Sequence, residues 1–406
     1  MSSGALASHS MMKLDIASGP VQDLEKPAAW GAVLAMSLGA FVLVASEFMP
    51  VSLLSPVAAD LHISEGQAGQ SIAISGAFAL LASLCVGSVA GRLDRKVLLL
   101  ALTFLMIASG TIAAFAPGYG IFMLGRALIG VAIGGFWSMS AATAMRLVPH
   151  DQVPRALAIL NGGNALATVI AAPLGSFLGG VVGWRGAFFC LVPVAVIAFG
   201  WKLASLPAMP AAGKAGGAGI FSLLGRPAVM LGMAATGLFF MGQFTLFTYL
   251  RPFLENVTHA GVSALSLMLL VLGVAGFVGT TLIGGVLKAN LYRTLAIMPL
   301  VLAAIALALI VFGGSLGVTA VLLALWGLVA TAAPVGWWTW LARVLPRDAE
   351  AGGGLMVAVV QLSIMLGATV GGLLFDAIGY RATFATSAAM LVAAAGLAVL
   401  AGRARH

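Results

Sequence analysis

Apolar stretches of about 18 residues or more, the length needed to cross a hydrocarbon core, recur along almost the whole chain. No other feature of the sequence restricts the fold so strongly. With 61% of its 406 residues hydrophobic and only 8% charged, the chain has too few charges to cover a water-exposed surface, so it faces lipid. In lipid every backbone N–H and C=O must be satisfied within the protein, which leaves helices or a closed barrel. The alternation of barrel strands is absent, so the stretches read as the spans of an all-α membrane protein.

Twelve spans are predicted, roughly at 30–52, 67–90, 97–116, 121–145, 156–182 and 187–206, then at 227–250, 263–287, 295–312, 317–341, 353–375 and 383–402. A Gly/Ala/Pro-rich segment separates the two sets. The expected organisation is a cytosolic N-terminal tail (1–29), a six-helix bundle (30–206), a cytosolic linker (207–226), a second six-helix bundle (227–402) and a cytosolic tail (403–406). With both termini cytoplasmic, every Lys and Arg falls on the inner side except Arg126, Arg185, Arg251 and Arg381. Adding or dropping one span would scramble that bias.

The halves echo each other about half a chain apart. Arg146-Leu147-Val148-Pro149-His150-Asp151 answers Arg343-Val344-Leu345-Pro346-Arg347-Asp348, and Gly183-Trp184-Arg185 answers Gly379-Tyr380-Arg381. Repeated six-helix units with a cavity between them are the architecture of alternating-access carriers. A twelve-helix, pseudo-symmetric carrier is therefore expected in a bacterial inner membrane, working as a monomer.

Other classes are disfavoured. Gly213-Lys214 is the sole Gly-Lys pair and is followed by Ala215, so no ATP-binding loop is present. No His/Cys/Asp cluster or Ser/His pair lies within a predicted span, which argues against an intramembrane enzyme, and the half-chain repeat argues against a channel or receptor. The net charge of +8 reports topology and not nucleic-acid binding, and Cys85 and Cys190 fall in apolar helices and read as small hydrophobes.

The motifs resemble the Major Facilitator Superfamily, in its twelve-helix drug:proton antiporter branch. Gly87 through Lys96 resembles the family's loop signature between helices two and three, with Gly91 where Asp is commonest and Asp94 where Gly is. Leu124-Gly125-Arg126-Ala127-Leu128-Ile129-Gly130 resembles the helix-four signature, and Gly163 through Gly180, with Pro173 and Gly175, the helix-five antiporter signature. Glu47-Phe48-Met49-Pro50, Gly134-Gly135-Phe136-Trp137, Gly242-Gln243-Phe244, Phe247-Thr248-Tyr249-Leu250-Arg251-Pro252 and Pro334-Val335-Gly336-Trp337 are similar to bacterial purine ribonucleoside exporters. The resemblance implies efflux of nucleosides such as inosine and guanosine in exchange for protons. Sugar and multidrug antiporters of the same fold share the helix-one and helix-four features and are the alternative. The energy source implied is the proton gradient, with no cofactor or metal.

Proton coupling needs a group that changes charge inside the protein. Of twelve acidic residues only Glu47 falls within a predicted span, and all five His residues fall in loops or tails. Glu47 and Arg126 each lie about five residues from the outer end of their spans, roughly 7 to 9 Å deep at 1.5 Å per residue. A charge in the bilayer core costs about 2.5 to 3.5 kcal/mol, so each is expected to face inward and find a partner. Glu47 is the candidate proton carrier with Arg126 beside it; a static ion pair is the alternative. For a neutral polar solute, Gln70, Asn161, Asn164, Gln243 and Gln361 offer amides and Trp137, Phe247 and Trp338 offer stacking faces; helix–helix clamps and packing are their other reading. Trp340 is expected in the cytoplasmic aromatic belt. Gly87, Arg92, Asp94 and Arg95 are expected to latch the inner face, and Pro173 and Gly175, like Pro334 and Gly336, to weaken the backbone where the halves rock, or to form passive kinks.

Overall fold

The computed structural model describes residues 28–90, 93–210, 220–346 and 348–404. The N-terminal tail up to residue 27, most of the linker and Arg92 therefore lie outside the described residues. The described elements are helices: α1 (Trp30–Leu61), α2 (Glu65–Ala90), α3 (Arg95–Ala114), α4 (Tyr119–Arg146), α5 (Val153–Val181) and α6 (Gly183–Ser205), then α7 (Pro227–Phe247), α8 (Leu250–Asn256), α9 (Val262–Phe312), α10 (Leu316–Ala330), α11 (Ala333–Val344), α12 (Ala349–Ala377) and α13 (Tyr380–Arg403). We call the end where α1 begins proximal and the end where it finishes distal.

Among the described residues, eleven continuous segments are long and apolar enough to cross a membrane, against the twelve predicted. The difference lies in α9. Its 51 residues would stretch about 77 Å as a straight helix, more than twice a bilayer core of about 30 Å, but the backbone breaks at Asn290 (φ −158°, ψ 89°). Asn290 caps the next turn: its Oδ1 accepts the Arg293 N–H at 3.3 Å and its carbonyl accepts the Thr294 hydroxyl at 2.7 Å. One helix thus supplies the two predicted crossings.

Three other boundaries differ, two of them at prolines. The first predicted span stops at Ser52, yet α1 continues through Pro50 and Pro56 to Leu61. The predicted 227–250 span ends at Phe247 and resumes as α8, because Pro252 cannot donate to the Thr248 carbonyl four residues back and its ring crowds it. The predicted 317–341 span divides into α10 and α11 at Thr331–Ala332, with Pro334 in the first turn of α11. By contrast α5 runs unbroken through Pro173.

Two apolar cores result. One is drawn almost entirely from α1 to α6, the other from α7 to α13. Within each, small residues let helix backbones touch. A Cβ on Gly134 of α4 would strike the Ala79 backbone of α2, and one on Gly279 of α9 the Leu328 backbone of α10. The halves meet chiefly in their distal parts. There α2 packs on α12 and α5 on the first segment of α9, with the Ser266 hydroxyl 2.9 Å from that of Ser176.

Candidate functional site

Glu47 sits on α1 and is 9% exposed, and Arg126 on α4 is 1% exposed. Because α1 extends to Leu61, Glu47 is fourteen residues from its distal end, about 21 Å along the axis, and not the five residues expected. Arg126 lies in the same layer all the same. The reason is Pro50: having no N–H, it leaves the Ser46 carbonyl without its helical donor, and Arg126 Nη1 donates to that oxygen at 2.8 Å. Its Nε donates to the Ser71 carbonyl of α2 at 3.2 Å, and the Ser75 hydroxyl donates to the Arg126 carbonyl at 2.9 Å. One guanidinium therefore ties α4 to α1 and α2.

Arg126 is not in a contact ion pair with Glu47. The ion pairs seen among the described residues are Arg185–Asp60, Arg226–Asp348 and Arg251–Glu255. Arg126 spends two donors on backbone carbonyls and keeps a buried Nη2 with no hydrogen-bond partner, close enough for its charge to act on the Glu47 carboxyl. The Glu47 carboxyl also feels the amide of Gln361, which comes from α12 in the opposite half. Gln361 is 5% exposed and its Oε1 has no partner. Removing such an acceptor from water costs roughly 1–3 kcal/mol, so it is poised to receive a donor.

The candidate solute residues divide into two sets. Gln70 is half-buried and its Oε1 accepts the Thr369 hydroxyl of α12 at 3.2 Å, joining the halves. Gln243 is half-buried with a buried Oε1 that lacks a partner. Phe247 meets Phe48 edge-on at 6.2 Å and Phe244 at 6.0 Å, while Phe48 stacks on Phe244 at 6.1 Å. Phe48 lies one residue from Glu47 in the chain, and its contacts with Phe244 and Phe247 of α7 bridge the halves. The remaining candidates are not brought to this cluster by any contact seen. Asn161 is exposed and its amide turns back onto the Leu157 carbonyl at 2.9 Å, while Asn164 is half-buried on the next turn. Trp137 is half-buried against Phe136, and Trp338 is 46% exposed.

The gating candidates have mostly structural contacts. Asp94 caps α3 by accepting the Lys96 N–H at 2.7 Å, and its other oxygen accepts the Met209 N–H at 2.9 Å; Arg95 returns its own N–H to the Met209 carbonyl at 3.0 Å. Both oxygens of the carboxylate expected to help latch the inner face are thus committed to backbone. Gly87 lies in α2 near its proximal end. Pro173 and Gly175 are buried in α5, and a Cβ on Gly175 would press on Met49 of α1 at 3.0 Å.

Three residues depart from, or were absent from, the sequence reading. Lys202, assigned to the cytoplasmic side by its place near the end of a span, is fully buried. Its Nζ donates to Thr103 at 2.9 Å and lies 5.3 Å from the Phe136 ring centre, in space that Gly39 leaves open. Trp340 is 1% exposed and fills the space above Gly232, so it belongs to the core and not to an aromatic belt. Phe48 was not singled out, though its place beside the one mid-span carboxylate was the available signal.

Paired helical groups that close at one end around a buried carboxylate and an arginine define a membrane carrier. The profile of the Major Facilitator Superfamily matches residues 36–353, and the chain belongs to that family. It is 63% identical over 385 residues to the "transcription regulatory protein OpdE" of Pseudomonas aeruginosa, covering 94% of this chain and 96% of that protein. It is 44% identical over 363 residues to the purine ribonucleoside efflux pump NepI of Salmonella paratyphi B, covering 89% and 91%. Among solved structures, a bacterial homologue of the human lysosomal transporter Spinster superposes with a TM-score of 0.74 at 16% identity, over 93% of this chain and 97% of that one. That likeness establishes the fold. The chain is a multi-pass membrane transporter of this superfamily.

Proposed function

We propose that the chain exports a small polar solute, a purine ribonucleoside such as inosine or guanosine, across the bacterial inner membrane in exchange for protons. The observation that carries this reading is the position of Glu47. It is the one carboxylate in the middle of a span, buried where the halves meet, within the influence of an anchored guanidinium and of an amide from the opposite half. The efflux pumps of Salmonella support the choice of cargo. Proton uptake from outside and release inside would change what Glu47 offers Gln361, and so link its charge to the relative position of the halves. One charge moving down 100 mV supplies about 2.3 kcal/mol, equivalent to a roughly fifty-fold solute gradient, so one proton per neutral solute suffices.

In this reading the proximal end and both termini face the cytoplasm, the chain acts as a monomer, and the structure is closed toward the outside. The name of the Pseudomonas relative is compatible with it. A carrier that changes the internal level of a solute sensed by a regulator alters transcription without touching DNA. The test is transport in proteoliposomes. Glu47→Gln is expected to abolish nucleoside accumulation driven by a pH gradient while leaving counterflow of labelled nucleoside intact; undiminished gradient-driven transport removes Glu47 from the reaction. Thermal stabilisation by pentose sugars or lipophilic cations, with none by nucleosides, would select the alternative cargo.

A further inference from the structure

At its distal end the N-terminal half leaves two kinds of backbone group unsatisfied, and the C-terminal half answers both. Pro56 has no N–H, so the Ser52 carbonyl four residues earlier lacks its helical donor. Arg251 of α8 donates to that oxygen through Nη1; the residue is 5% exposed, and its Nε is held by Glu255 at 2.7 Å. A few residues further on, the first N–H groups of α2 have no helical acceptor. Asp376, in the last turn of α12, accepts the Gly66 N–H at 2.9 Å and the Ser64 hydroxyl at 2.5 Å. Gly66 makes this approach possible, since a Cβ there would run into the Asp376 carboxyl and come within 2.6 Å of the Gly372 carbonyl.

The two contacts are complementary. A cation of one half takes an orphaned carbonyl of the other, and an anion takes an orphaned amide together with a neighbouring hydroxyl. Both bonds are charge-assisted, which makes them strong for single contacts. The Asp376 contact lies at the exposed mouth of the bundle and the Arg251 contact is buried deeper, with Ser52 at 0% and Arg251 at 5% exposure; opening of that end admits water to both, so breaking them there leaves no buried polar group behind.

We infer that Arg251 and Asp376 are positioning residues that latch the distal end shut, and that releasing either one shifts the carrier toward the state open at that end. The inference rests on the reading of the chain as an alternating-access carrier and is independent of its cargo. It also assigns a duty to Pro56, which frees the carbonyl on which Arg251 docks.

The experiment measures distances across the distal end by pulsed electron paramagnetic resonance. Spin labels are placed at Gly120→Cys and Gly314→Cys, where an added Cβ meets open space, in a background carrying Cys85→Ala and Cys190→Ala. Asp376→Ala and Arg251→Leu are each expected to raise the long-distance population roughly tenfold, the order expected for losing one charge-assisted bond. Asp376→Asn keeps one acceptor oxygen and should give a smaller rise. Asp60→Asn is the control, because Asp60 pairs with Arg185 inside the same half at the same end, and it should leave the distances unchanged. Unaltered distances in both folded variants, or an equal shift in the control, overturn the latch. A loss of proton coupling without any distance change would place these residues in the Glu47 reaction and overturn it as well. The distances are read without gradient or solute, so they stand apart from the outcome for Glu47→Gln.

Discussion

The dependence of Arg126 on a proline can be measured. Replacing Arg126 by Met removes two hydrogen bonds, to the Ser46 and Ser71 carbonyls. Ser71 lies in an unbroken stretch of α2 whose N–H groups continue to serve its carbonyls, so the larger loss is at Ser46, where Pro50 supplies no donor. A buried acceptor left without a partner costs roughly 1–3 kcal/mol. Pro50→Ala restores the missing N–H. In the wild-type background the Ser46 oxygen is already occupied and the new donor gains little there; in the Arg126→Met background it rescues an orphan. A double-mutant cycle should therefore show a coupling of about 1–3 kcal/mol, with Pro50→Ala stabilising the Arg126→Met protein more than the wild type. Reversible denaturant unfolding of purified protein in micelles, followed by helical circular dichroism, supplies the four stabilities. Additivity within about 0.5 kcal/mol would refute the claim that Arg126 serves a carbonyl freed by Pro50.

Two further changes test the packing. Lys202→Met exchanges a buried cation with one hydrogen bond and one ring contact for an apolar chain of similar length; avoiding a desolvation cost of about 2.5 to 3.5 kcal/mol while losing contacts worth about 2 together should leave the protein roughly 0.5–1.5 kcal/mol more stable in the same unfolding assay, and a less stable variant would show that the ammonium has a partner or a duty beyond Thr103 and Phe136. Gly232→Ala puts a methyl where the Trp340 indole sits and should destabilise by about 1–3 kcal/mol with a shifted tryptophan emission; an unchanged melting curve would contradict the burial of Trp340.

The sequence made the all-helical membrane architecture legible, along with most span positions and the isolation of Glu47 and Arg126 as charges within spans. It did so because hydropathy and the cost of a charge in lipid are local properties, summed residue by residue along the chain. Where prolines intervened the local reading failed. The first span was expected to end at Ser52, between Pro50 and Pro56, whereas α1 passes through both and the carbonyls they release are met by arginines. Asn161, offered as a cavity amide, is exposed and its amide bonds its own helix, which its place in the sequence did not reveal. Only the tertiary structure decided that Arg126 and Arg251 reach backbone 80 and 199 residues away, that Lys202 points into the core, and that Gln361 lies beside Glu47. Those pairings follow from how each helix is rotated and tilted against its neighbours, and that is fixed by the fit of small residues such as Gly134 and Gly279 across the bundle, which no single segment of sequence contains.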